Sequence, residues 1–124
     1  MASSQVVKAL IVDDNAMIRR IHMTMLFRFG FEITEVEDGK KAIDQFLDGN
    51  EYDLVLMDKE MPNMDGVEAT RTLRGMGIST KIVAITTDSN SMGAFLDAGA
   101  DEFILKPLNF PALADILKGF NFLN

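Results

Sequence analysis

At 124 residues, with 48% hydrophobic and 25% charged content, the chain has the makeup of one globular domain large enough to bury a core. Its net charge of −7 argues against nucleic-acid binding, because phosphate repels an acidic surface. Cysteine is absent, no apolar run approaches the roughly 20 residues of a membrane span, and the start MASSQVVK has no signal-like apolar segment, so an intracellular protein outside the membrane is expected.

Val6 to Val12 is a short β-branched, apolar run that ends in Asp13-Asp14-Asn15. Residues 16 to 29 follow with helical periodicity, and Gly30 is a natural stop. Phe31 to Val36 alternates like a strand, Asp38-Gly39 makes a turn, and Lys40 to Leu47 reads as a helix closed by Asp48-Gly49-Asn50. Asp53 to Met57 is an apolar strand that stops at Asp58. Val67 to Met76 is a charged helix, Lys81 to Thr86 an apolar strand, and Ser89 to Ala98 a short helix ended by Gly99. Glu102 to Leu105 is the last strand, cut by Lys106-Pro107, and Asn109 to Phe120 the last helix. Five strands alternating with five helices predict an α/β fold, a single (βα)5 unit with helices on both faces of a parallel sheet. In such a fold, sites form beyond the carboxyl ends of the strands.

Those ends collect Asp13 and Asp14, then Asp58, then Thr86 and Thr87, then Lys106 and Pro107. Clustered carboxylates raise one another's pKa values, and a hard divalent cation relieves the repulsion. A carboxylate at a strand tip can also act as a nucleophile toward phosphorus. Phosphoryl transfer chiefly needs positioning and charge neutralisation, which a metal and a lysine supply. Each residue also has a plainer reading when taken singly. Asp14 or Asn15 could cap the first helix, Asp58 could serve the turn before Pro62, Thr86 could be an ordinary strand residue, and Lys106 a solvated loop charge. Their convergence on one rim favours the chemical reading.

The motifs IVDDN (11–15), LVLMDKEMPNMDG (54–66), IVAITT (82–87) and AGADEFILKP (98–107) make the whole chain resemble a receiver domain of two-component signalling. The strings MDKEMP and DEFILKPL resemble plant single-domain response regulators and hybrid-kinase receivers. The resemblance implies a flavodoxin-like strand order 2-1-3-4-5 and a phosphoacceptor role for Asp58. It implies Mg²⁺ or Mn²⁺ held by Asp13, Asp14, Asp58 and the Glu60 carbonyl. Lys106 would pair with the phosphoryl oxygens and precede a cis bond to Pro107. Thr86 would swing its hydroxyl onto the phosphoryl group, and Phe103 would follow as the switch aromatic. Glu60, Thr87 and Asp88 would modulate the rate of phosphoryl loss. Thr87 departs from the small residue usual at its position, and Phe103 from the more frequent tyrosine. The acidic Glu60 and Asp88 predict an altered autodephosphorylation rate, without fixing its sign.

Residues 1–124 would then form one receiver, a monomer in the cytoplasm or nucleus, fed by a histidine-containing phosphotransfer protein or a histidine kinase, with neither nucleic acid nor membrane as partner. It would act as a switch, a relay intermediate or a phosphoryl sink. On the first helix, Ile18, His22, Met25, Leu26 and Phe29 form a core-facing arc, which makes His22 a core histidine. Met23 and Phe27 fall nearly opposite the core. Met17, Ile18 and Ile21, with Pro107, lie nearest the Asp58 rim and are the candidate docking residues. Two other classes compete. A small aspartate phosphatase would use Glu60 as its acid, but the chain lacks a cap insertion and an early DxD-type motif. A flavodoxin-like cofactor module needs a Gly/Ser/Thr-rich phosphate loop where this chain has DDNAM. An interaction module independent of phosphorylation would lack one of the rim residues, and all five are present.

Overall fold

The computed structural model describes residues 6–123. Five parallel strands, β1 (Lys8–Val12), β2 (Glu32–Val36), β3 (Leu54–Asp58), β4 (Lys81–Thr86) and β5 (Glu102–Leu105), lie in the order β2-β1-β3-β4-β5. Helices α1 (Ala16–Arg28), α2 (Gly39–Leu47), α3 (Gly66–Gly75) and α4 (Met92–Ala98) make the four crossovers, and α5 (Phe110–Gly119) follows the last strand. The chain leaves β1 toward β2 on one side and returns to β3 on the other, so the strand order reverses beside β1. That is the crevice in which ligands of open α/β sheets bind.

The sheet separates two cores. Leu10 and Val12 of β1 join Val55, Met57, Ile82 and Ala84 beneath α2, α3 and α4. Ala9 and Ile11 join Leu54, Leu56, Val83 and Ile85 against Leu26 of α1 and Leu113 and Leu117 of α5. Alternate residues of one strand thus serve opposite cores, as the period of two requires. All five residues of β3 are buried, which is why its sequence is continuously apolar until Asp58.

Most element boundaries fall within a residue of those predicted, with two informative differences. Asp58 is the last residue of β3 rather than the first of the loop, because it keeps its register opposite Ile85 of β4. The predicted helix from Ser89 begins instead as a 3-10 turn, Ser89–Ser91, before α4 starts at Met92. The Asp88 side chain accepts from the Asn90 N–H, and its carbonyl accepts from the Ser91 hydroxyl, which tightens that turn. On α1, His22 and Leu26 are buried while Phe27 is 74% exposed. Met23, expected nearly opposite the core, packs against the core edge instead. A helical wheel describes one buried face, and here Phe31 and Ile33 close around a second flank of α1.

Candidate functional site

The rim above β1, β3, β4 and β5 holds a cavity of about 270 Å³ lined by Asp13, Asp14, Asp58, Thr86 and Lys106, with Glu60 and Thr87 also on its wall. Asp13 is 2% exposed and Asp58 7%, whereas Asp14 is exposed. Carboxylate oxygens of the three acids lie within 4.8 Å of one another. The Lys106 ammonium sits 2.9 Å from Asp13 Oδ2 and 3.0 Å from Asp58 Oδ1. Lys106 reaches them from the end of β5, where its N–H bonds the Thr86 carbonyl and its peptide bond to Pro107 is cis.

The helix cap is resolved by geometry. Asn15 Oδ1 accepts from the N–H groups of Met17 and Ile18, so Asn15 caps α1 and both aspartates are free of that task. Asp13 in turn accepts from the Asn15 N–H, which fixes its carboxylate toward Lys106. Asp58 emerges from a strand buried on both faces, so its carboxylate has little positional freedom.

The electrostatics are those of a site short of positive charge. Burial pushes the Asp58 carboxyl above the usual carboxylate range; the Lys106 hydrogen bond opposes this, and the neighbouring charge of Asp13 adds to it. Burial alone would lower the Lys106 ammonium, but the bonds to Asp13 and Asp58 outweigh it and raise its pKa. The three carboxylates face a single lysine within the rim. An all-oxygen set of this kind fits a hard divalent cation such as Mg²⁺.

Thr86 is buried, and its hydroxyl accepts from the Asp88 N–H at 3.1 Å. Phe103 is half-buried with its ring 6.2 Å from that of Phe95. Glu60 and Thr87 are exposed at the cavity. Asp88 does not line it, because its carboxylate turns to Lys59 at 2.8 Å. Beside the rim, Ile18, Ile21, His22 and Pro107 line a second, largely apolar cavity of about 330 Å³. Met17 is 72% exposed and stands outside that cavity. Burial lowers the His22 pKa, Asp13 opposes, and Lys106 assists. Lys59 was not legible as a site neighbour; a lysine in an acidic loop carries no signal of its partner.

A doubly wound sheet with three acids and a lysine at its switch point defines a class, the phosphoacceptor domains of the flavodoxin-like fold. The family model for the response regulator receiver domain matches residues 9–118, and the chain belongs to that family. It is similar to two-component response regulator 24 of Arabidopsis thaliana, at 43% identity over 92% of this chain and 84% of that one. Two-component response regulator ORR41 of rice (Oryza sativa subsp. japonica) is 42% identical over 94% of this chain and 95% of its own. Among solved structures, the response regulator protein TrrA of Thermotoga maritima, in complex with Mg²⁺ and a beryllium fluoride, superposes with a TM-score of 0.85 at 32% identity, covering 93% of this chain and 99% of that one. The chain is thus a receiver domain of two-component signalling. No helix among the described residues is long and apolar enough to cross a membrane.

Proposed function

We propose that Asp58 is the phosphoacceptor of a histidine-to-aspartate phosphorelay. The observation that carries the reading is the Asp58 carboxylate at the tip of a fully buried strand, 3.0 Å from Lys106 and beside Asp13 and Asp14. An Asp58 oxygen attacks the phosphorus of a phosphohistidine. The new O–P bond forms as the P–N bond breaks, and the leaving imidazole keeps the electron pair and takes a proton. Asp13, Asp14, Asp58 and the Glu60 carbonyl are the residues that would hold Mg²⁺, and Mn²⁺ suits the same oxygens. The bound cation supplies neutralisation of phosphoryl charge. Lys106 stays paired with the carboxylates until a phosphoryl oxygen replaces one of them. The Thr86 hydroxyl then donates to a second phosphoryl oxygen, and Phe103 moves into the space behind it. Water later returns Asp58 and inorganic phosphate, so turnover is limited to self-phosphorylation and hydrolysis.

Residues 1–124 work as one receiver, a monomer in the cytoplasm or nucleus. The donor is a histidine-containing phosphotransfer protein or a histidine kinase. Its docking face is the apolar cavity of Ile18, Ile21 and Pro107 beside the rim, with the exposed Met17 extending it. An exposed apolar patch rimmed by the phosphoacceptor chemistry suits a protein donor.

The test is phosphoryl incorporation with Mg²⁺, from acetyl phosphate and from a phosphohistidine protein. Wild type takes label from both, and Asp58→Asn takes none. Met17→Glu with Ile21→Glu loses transfer from the protein donor at least about tenfold and keeps labelling by acetyl phosphate. Label that survives Asp58→Asn, or steady turnover of phosphoester substrates, overturns the assignment.

A further inference from the structure

Asp88 lies outside the rim cavity, yet it is bonded as fully as the buried rim residue Asp13. Its N–H donates to the Thr86 hydroxyl at 3.1 Å. Its carbonyl accepts from the Ser91 hydroxyl at 2.7 Å. Oδ1 accepts from the Asn90 N–H at 2.9 Å, and Oδ2 from the Lys59 ammonium at 2.8 Å. Every polar atom of Asp88 is therefore engaged, so the residue moves only as a unit with the Ser89–Ser91 turn and the Thr86 hydroxyl. Lys59 sits on the opposite bank. It follows Asp58 directly, and its own carbonyl accepts from the Gly66 N–H at 2.8 Å, which anchors it to the start of α3. The ion pair thus ties the loop after β4 to the loop after β3, across 29 residues of sequence. Both partners report the contact: the Asp88 carboxyl lies below the usual range chiefly because of Lys59, and the Lys59 ammonium above it chiefly because of Asp88.

We propose that Lys59 and Asp88 form a latch that holds the Thr86 hydroxyl in its resting position, on the Asp88 amide. Lys59 and Asp88 are positioning residues in this scheme, since neither lines the cavity. The proposal rests on Asp58 as the phosphoacceptor and Thr86 as the hydroxyl that joins it. The hydroxyl only accepts from the Asp88 N–H, so when it shifts to donate to a phosphoryl oxygen it either gives up that bond or draws Asp88 along with it, and the ion pair, by pinning Asp88, opposes both. The latch favours the resting state only by its own differential free energy. With side chains 27% and 31% exposed, the pair is partly screened by water, so its effect is modest, about two- to fivefold in the equilibrium between the two states.

Charge steering makes a different forecast, which allows a clean test. An anionic ligand is attracted by Lys59 and repelled by Asp88. Removing Lys59 would then weaken anion binding, and removing the Asp88 charge would strengthen it. A latch makes both changes act in the same direction. The experiment titrates beryllofluoride, a phosphoryl mimic, into the full chain at saturating Mg²⁺, with Lys59→Met, Asp88→Asn and the double variant. Backbone amide NMR reports both affinity and the positions of the Thr86 and Asp88 amides. Both single variants should bind about two- to fivefold more tightly, and the double variant no more tightly than either. In the ligand-free variants, the Thr86 amide should shift part of the way toward its position in liganded wild type. Opposite signs for the two variants, additive effects, unchanged affinities, or shifts confined to the substituted side chain's neighbours would overturn the latch. Failure of wild type to bind beryllofluoride, or binding that survives Asp58→Asn, would instead overturn the assignment of Asp58.

Discussion

Two buried carboxylates, Asp38 and Asp58, sit at corners where a strand hands over to a helix, and they are treated oppositely. Asp38, 3% exposed, follows β2; its side chain accepts from the Lys41 N–H at 2.8 Å and from the Asn63 amide at 2.9 Å. Burial alone would raise its pKa, but those donors outweigh it and hold the carboxyl below the usual range. Asp58, 7% exposed, has its pKa raised chiefly by burial; the Lys106 hydrogen bond offsets this only in part, and the Asp13 charge adds to it. Neutral dipoles aimed at a carboxylate fix it as scaffolding. Like charges around a carboxylate leave it poised for a cation or an electrophile. The scaffold also serves the site, because Asn63 belongs to the loop that leaves Asp58. The Gly39 N–H bonds the Met64 carbonyl of that same loop, so the β2 corner buttresses the β3 corner.

Each corner opens its helix with a glycine pressed against backbone, and this gives the sharpest way to break the comparison. A Cβ at Gly66 would stand 1.9 Å from the Asp58 carbonyl oxygen; one at Gly39 would stand 2.6 Å from the Met64 oxygen. Neither obstacle is a side chain that can swing away. Gly66→Ala should cost about 3 kcal/mol or more and Gly39→Ala about 1–3 kcal/mol, by urea denaturation. In whatever Gly66→Ala protein folds, phosphorylation from acetyl phosphate should slow, since the displaced backbone carries Asp58 itself. A Gly66→Ala variant more stable than Gly39→Ala would contradict the closer packing of the β3 corner.

Asp38→Ala comes next in size. It removes the cap of α2 and the tie to Asn63, at a cost of about 1–2 kcal/mol at pH 7. The pH dependence follows from the lowered pKa. Native Asp38 holds its proton less tightly than the unfolded chain does, so its contribution is fully present above the ordinary carboxylate pKa. It is lost as pH falls through the lower native value. The stability gap between wild type and variant should narrow progressively in that acid range. A gap of constant size would mean that packing, and not charge, makes the corner.

The rim was legible because β1, β3, β4 and β5 each carry a short apolar run, and the polar residue that closes that run is the one that lines the cavity. Asp13, Asp58, Thr86 and Lys106 can be placed together from strand order alone. The assignment of the cap to Asn15 instead of Asp14 was not legible, since either residue type caps a helix equally well. Nor were the two loop ties. Lys59–Asp88 and Asp38–Asn63 join residues 29 and 25 apart, and local pattern carries no information about which loops face each other. Met23 was misplaced for a related reason: periodicity reports the main buried face of α1 and is silent on a flank covered by a neighbouring strand. Site chemistry concentrated at strand ends is therefore readable, and its loop-to-loop tuning is not.

The smallest effect concerns the phosphoryl lifetime, and here the structure separates two acids that sequence treats alike. Asp88 is committed to Lys59, while Glu60 is exposed on the cavity wall and has no ion pair among the described residues. Glu60 is thus the acid we expect to act on a phosphoryl group on Asp58. Its charge repels that group, and its carboxylate can accept a hydrogen bond from an attacking water. Both effects shorten the lifetime, so Glu60→Gln should lengthen it. A single exposed charge contributes about 1 kcal/mol or less, which corresponds to a lengthening of about two- to fivefold. The decay of phosphorylated protein after removal of the donor measures it. The repulsive share of the effect should shrink at high salt, where screening acts over about 3 Å. A lifetime that is unchanged or shorter in Glu60→Gln would remove Glu60 from the control of Asp58 and leave the contrast between the two corners to Lys106 and Asp13 alone.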